Sequence, residues 1–129
     1  MLLRLKALFY FMTLLFTFLC ILVALEHFYF LILEMFLWTS KKGIKTFGLK
    51  SKAFAEDTKV LAANQGLYNG FLAAGLLYAL YLNATPFLMF FLGCIVVAGI
   101  YGAFSTKKRI LFWFQSVPAM LACIVFLLI

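Results

Sequence analysis

From Leu8 to Trp38 the chain runs through about 31 mostly apolar residues, with Glu26, His27 and Glu34 the only acidic or basic side chains among them. As a helix rising 1.5 Å per residue this stretch spans about 46 Å. The hydrocarbon core of a bilayer is about 30 Å thick, so the helix must tilt, kink or project from the membrane. The run is continuous rather than alternating, which excludes the strands of a water-filled outer-membrane barrel. Few folds other than a membrane-spanning helix accommodate such a segment.

Composition agrees with that constraint. The chain has 129 residues, of which 67% are apolar and 12% charged, whereas soluble domains run at about half apolar and a quarter charged. A soluble globular domain, a disordered tail and a disulfide scaffold are excluded. Cys20, Cys94 and Cys123 all lie in apolar runs, without CxxC spacing, and read as small core residues. At about 20 residues per span the length accommodates four crossings, and the expected fold is an all-α, integral membrane four-helix bundle. We expect one transmembrane domain over residues 1–129, with spans near 8–38, 57–82, 86–104 and 110–129 and a basic loop at 39–55. Ser51 is a natural N-cap for the second span, Pro86 suits the first turn of the third, and Pro118 is expected to kink the fourth. Arg4 and Lys6 resemble the basic start of a signal peptide, but the apolar stretch is too long and lacks a small-residue cleavage site before Glu26; a retained span is expected.

The net charge of +7 is a topology signal rather than a nucleic-acid footprint, because the cations sit between apolar runs. Lys41, Lys42, Lys45, Lys50, Lys52 and Lys59 follow the first run, and Lys107, Lys108 and Arg109 follow the third. Basic loops face the cytoplasm, so both termini are expected outside the plasma membrane. Contact between these cations and anionic lipid headgroups is compatible with that reading.

Polar residues within the apolar runs point to function, since ionisable side chains are costly in a bilayer and usually face a bundle interior. At 100° per residue, Glu26, His27, Phe30, Glu34 and Trp38 share an arc of about 120°. The second span contributes Asn64, Gln65 and Asn69, with Gln65 and Asn69 four residues apart. Tyr68 and Tyr101 add hydroxyls. A ligand-binding set of Glu26, His27, Glu34, Asn64, Gln65, Asn69 and Tyr101 is therefore expected. Its plain alternatives are a cytoplasmic headgroup contact for Glu34 and interhelical hydrogen bonds for the others. Gly66 with Gly70, and Ala98 and Gly99 with Gly102 and Ala103, give small residues at four-residue spacing. These permit close helix packing within the chain, or a homodimer through Gly66, Gly70, Gly99 and Gly102. A single His without a second His or a paired Cys is too little for a metal site, and no motif indicates a cofactor, nucleotide chemistry or a serine hydrolase.

The strings Glu26-His27-Phe28-Tyr29-Phe30-Leu31-Ile32-Leu33-Glu34-Met35-Phe36-Leu37-Trp38 and Ala62-Ala63-Asn64-Gln65-Gly66-Leu67-Tyr68-Asn69-Gly70-Phe71-Leu72-Ala73-Ala74-Gly75 resemble a family of small bacterial membrane proteins, domain of unknown function 1304. Phe47-Gly48, Gly93-Cys94 and Gly99-Ile100-Tyr101-Gly102 resemble it too. The resemblance covers residues 18–129. It implies a four-helix bundle in a bacterial plasma membrane and no particular activity. The first 15 or so residues are longer than is usual in that family.

Three functions from different classes suit these residues. The favoured one is binding or transport of a small amphipathic or cationic ligand in an intramembrane polar pocket, with the bilayer as surroundings. The others are a structural or regulatory subunit using its glycine surfaces, and an intramembrane isomerase acting on a lipid, with Glu26 or Glu34 as general acid and His27 as partner.

Overall fold

A computed structural model describes residues 1–129, and the chain is all-helical. The elements are α1 (Leu2–Met35), α2 (Lys41–Phe47), α3 (Lys52–Tyr81), α4 (Thr85–Thr106), α5 (Arg109–Leu111), a π-helical turn (Phe112–Ser116) and α6 (Val117–Leu127). Three helical stretches are long and apolar enough to cross a membrane: α1, α4 and the continuous Arg109–Leu127. The 30-residue α3 is long enough but carries Asn64, Gln65 and Asn69 in its middle, and it stands outside that group.

The first helix starts at Leu2, six residues before the expected Leu8, and ends at Met35 rather than Trp38. Leu2, Leu3, Arg4, Leu5 and Lys6 are all strong helix formers, so nothing stops the helix from extending to the terminus. The stretch expected as a loop over 39–55 instead contains α2, and α3 already begins at Lys52. Caps explain α2. Ser40 Oγ accepts from Gly43 N–H at 3.1 Å and donates to the Leu37 carbonyl at 2.6 Å, and Gly48 closes the helix at φ 58°. That left-handed conformation is the one glycine adopts without Cβ strain. Ser51 Oγ accepts from Phe54 N–H at 3.1 Å and caps α3, as its position in the sequence suggests. Asn83, at φ 50°, turns the chain into α4, where Pro86 occupies the first turn. Asn is among the few residues that tolerate this conformation.

Contacts divide the chain into two compact units, Met1–Ala24 with Ala74–Ile129, and Leu25–Ala73. The first packs Phe16, Cys20, Val23, Leu76, Leu88, Leu92, Ile95, Ala119 and Ala122 into its interior. Phe16 and Phe126 bring α1 against α6, with ring centroids 5.4 Å apart. Gly99 is buried where α4 meets the π turn, and a Cβ there would lie 2.9 Å from Gln115 Cβ and 3.0 Å from Ser116 N. Ser116 Oγ donates to the Val96 carbonyl at 2.9 Å. The turn sits just before Pro118, whose ring would clash with the carbonyl four residues back in a regular helix. Winding to the fifth residue relieves that conflict. The chain meets the expected kink with a π turn.

The second unit has a different interior. Its buried side chains include Leu33, Ala55, Ala62 and Ala73, together with His27, Glu34 and Asn69. Three of the four buried polar residues of the whole chain therefore lie in this unit, the fourth being Ser116.

Candidate functional site

The unit Leu25–Ala73 brings the polar stripe of α1 onto the small-residue stripe of α3. On α3 the buried positions Ala55, Ala62, Gly66, Asn69, Gly70 and Ala73 form one narrow face, with Ala62, Gly66, Gly70 and Ala73 at three- and four-residue intervals and Ala55 two turns before Ala62. A Cβ on Gly66 would lie 2.8 Å from Met35 Cγ, 3.0 Å from Glu34 Cβ and 3.2 Å from the Leu31 carbonyl, and a Cβ on Gly70 would strike Leu31 Cδ1. The two glycines thus seat α3 directly on the Leu31–Met35 turn of α1. Asn69, between them, reaches across: its Nδ2 donates to Glu34 Oε2 at 2.7 Å. Both partners are more than nine-tenths buried. Buried polar groups are normally paired in this way, and a bond to a carboxyl oxygen is among the stronger kinds.

Two turns back along α1 the situation differs. Glu26 is half-buried, and its Oε2 is enclosed without a hydrogen-bond partner. The adjacent His27 is 1% exposed and packs edge-on to Phe30, with centroids 6.0 Å apart and planes at 85°. The face therefore holds one satisfied carboxyl, Glu34, and one with an acceptor atom turned into the protein and unmatched, Glu26. An enclosed acceptor without a donor costs free energy, and an N–H or O–H from a bound molecule would remove that cost.

Of the residues expected to line a pocket, the structure joins Glu34 to Asn69 and places Glu26 and His27 on the same stripe of α1. It does not bring Asn64 or Gln65 to them. Asn64 and Gln65 are exposed. Gln65 shares a general direction with Asn69, but Asn69 is already at the edge of the buried α3 face and Gln65 lies a further 40° out. Tyr101 is 71% exposed, belongs to the other unit and lines an apolar surface groove with Met89, Phe90, Gly93, Cys94, Val97 and Ala98. The glycines considered for a homodimer lie within the chain: Gly66, Gly70 and Gly99 are buried and Gly102 is half-buried beside Leu111. No three of the His, Cys, Asp and Glu side chains converge on a point that would hold a metal ion.

The structure also shows polar contacts that the sequence did not announce. Trp38 Nε1 donates to Thr58 Oγ1 at 3.0 Å, and Thr58 Oγ1 donates to the Phe54 carbonyl at 2.7 Å. Trp38 also stacks at a tilt on Phe47, with centroids 4.8 Å apart. The partners are 20 residues apart and have no sequence signal beyond the aromatic at the end of an apolar run. Ser116 was equally silent, its one sign being a hydroxyl two residues before Pro118.

A family described as "Protein of unknown function (DUF1304)" matches residues 21–127, which contain all of the polar contacts above. The chain is similar to "Uncharacterized protein YpaA" of Lactococcus lactis subsp. lactis (strain IL1403), at 34% identity over 103 residues, covering 78% of this chain and 87% of that protein. No solved structure matches it.

Proposed function

We propose that this chain, which belongs to the DUF1304 family of proteins of unknown function, is a multi-pass membrane protein that holds a small amphipathic or cationic ligand against Glu26. The observation carrying this reading is the enclosed, unmatched Oε2 of Glu26, one residue from the buried His27. Within a membrane such an acceptor attracts a donor or a positive charge strongly, because water is not there to compete. The ligand's apolar part would rest on the aromatic side chains around the stripe.

The cations support a topology for this reading. Residues Lys41–Lys59 and Lys107–Arg109 carry nine of the 11 basic residues. Both stretches fall on the cytoplasmic side only when α3 crosses as well as α1 and α4. With that crossing both termini lie outside, and the compartment is the plasma membrane, the one membrane of this kind in a bacterium such as the source of the similar protein. Asn69 then lies in a crossing helix, where its bond to Glu34 lowers its cost.

The Glu34–Asn69 bond and the glycines around it favour a second reading for that part of the face: a structural or regulatory subunit whose polar pair fixes helix packing. Native mass spectrometry of protein released gently from its own membrane separates the two. Ligand binding predicts a specific retained mass that disappears in Glu26→Gln. Bare protein, or bulk phospholipid retained equally by wild type and Glu26→Gln, removes the ligand reading and leaves the packing one.

A further inference from the structure

The short α2 divides its side chains cleanly. At 100° per residue, Lys41, Lys45, Lys42 and Thr46 occupy an arc of about 140°, and Gly43, Phe47 and Ile44 fill the opposite side. The structure follows that division: the three lysines and Thr46 are exposed, Gly43 is buried, and Ile44 and Phe47 are half-buried. Lys50 and Lys52, just beyond the helix, are exposed too. This stretch has no acid until Glu56 and Asp57, and Glu56 is engaged by Lys59 at 3.0 Å.

The helix is held firmly despite its length. It is capped at both ends by Ser40 and Gly48. Gly43 lies flat on the Leu37 and Trp38 carbonyls, leaving no room for a Cβ. Trp38 is tied to Thr58 and packs on Phe47. Lys42 Nζ stands 5.1 Å above the Tyr29 ring, and Lys50 Nζ stands 5.9 Å from that of Phe54. A fixed row of cations above an aromatic and apolar underside, at the end of a helix apolar enough to cross a membrane, is the pattern of an element lying in a bilayer interface.

We propose that the lysine face of α2, extended by Lys50 and Lys52, is a docking surface for the headgroup phosphates of anionic glycerophospholipids in the leaflet at that end of α1. Charge complementarity selects the anionic lipid over a zwitterionic one, and the aromatic underside places the cations at headgroup depth. Lys41 and Lys45, neighbours on the helix and free of ring contacts in the structure, carry most of the selectivity. The surface is separate from Glu26 and stands whether or not that residue holds a ligand.

Full-length protein in a neutral detergent is titrated with phosphatidylglycerol or phosphatidylcholine, and bound lipids are counted by native mass spectrometry. Wild type should prefer phosphatidylglycerol at low ionic strength, and the preference should shrink as salt is raised. Each lysine near a charged surface is worth about five-fold in binding. The double variant Lys41→Gln/Lys45→Gln should therefore lose about 25-fold in phosphatidylglycerol affinity with phosphatidylcholine binding unchanged. Lys59→Gln, away from this face, should keep the preference. Equal binding of the two lipids by wild type overturns the proposal, as does an unchanged preference in the double variant. Loss of the preference in 10 mM inorganic phosphate at constant ionic strength overturns it too, because the surface would then be a site for the free anion. The salt series on wild type tests the proposal without relying on a variant.

Discussion

Asn69 Nδ2 donates to Glu34 Oε2 across 2.7 Å, joining residues 35 positions apart in the chain. The bond is buried on both sides and lies over the place where Gly66 lets α3 touch α1. Asn69→Ala should therefore destabilise the protein by about 1–3 kcal/mol, the cost of stranding a buried acceptor. Glu34→Ala/Asn69→Ala should lose less than the two single variants together. Unfolding in mixed micelles, read by circular dichroism across the double-mutant cycle, gives the coupling directly. Additive losses would mean that the bond contributes nothing to packing.

Gly66 and Gly70 of α3 should behave oppositely to Gly93 of α4. Gly66→Leu and Gly70→Leu force side chains into Met35, Glu34 and Leu31, and each should cost about 1–3 kcal/mol or more through overpacking. At Gly93 an added Cβ meets nothing within 4 Å. Gly93→Ala should be neutral or gain up to about 1 kcal/mol from helix propensity. The same unfolding assay checks both directions.

Trp38 and Thr58 supply a spectroscopic test. Thr58→Val removes the hydroxyl that accepts from the indole and keeps the side chain's shape. In a Trp113→Phe background, in which Trp38 is the remaining indole, this change should shift the emission maximum and cost about 0.5–1.5 kcal/mol. An unmoved spectrum would mean that the indole N–H bonds elsewhere.

Cys20 follows Phe16 by four residues and Cys123 precedes Phe126 by three, so each lies about one turn from the ring contact that joins α1 to α6. Copper-phenanthroline should link Cys20 to Cys123 within one chain, and peptide mapping should leave Cys94 unlinked. A Cys94 adduct in their place would break the assigned pairing of α1 with α6.

Much of this fold was legible because membrane spans are written in long apolar runs. Leu8–Trp38 and Pro86–Phe104 could hardly be anything else. Capping chemistry was legible where one residue decides it, as at Ser51 and Pro86. The short α2 was not, although Ser40 and Gly48 are its caps, because seven residues carry little periodicity. The candidate site was half legible. The cost of a carboxyl in a membrane singles out Glu26 and Glu34, and Asn69 is an amide on the neighbouring helix. Gln65 shares a direction with it, but four-residue spacing does not define the centre of a face. That centre is set by Ala62, Gly66, Gly70 and Ala73, whose small side chains let the other helix in. Hydrogen bonds such as Trp38 to Thr58 depend on how two helices meet and leave no trace in either segment alone.

The π turn at Phe112–Ser116 gives the last span a spare residue. In an ordinary helix, deleting one position rotates everything beyond it by about 100° and turns a packed face outward. Here a deletion between Phe112 and Gln115 would take up the slack of the wide turn, at the cost of bringing the Pro118 ring back against the carbonyl it now clears. Ser116, Ala119 and Ala122 would keep their orientation. The segment just before Pro118 is therefore the place in this helix where chain length can change by one without rotating the face beyond it.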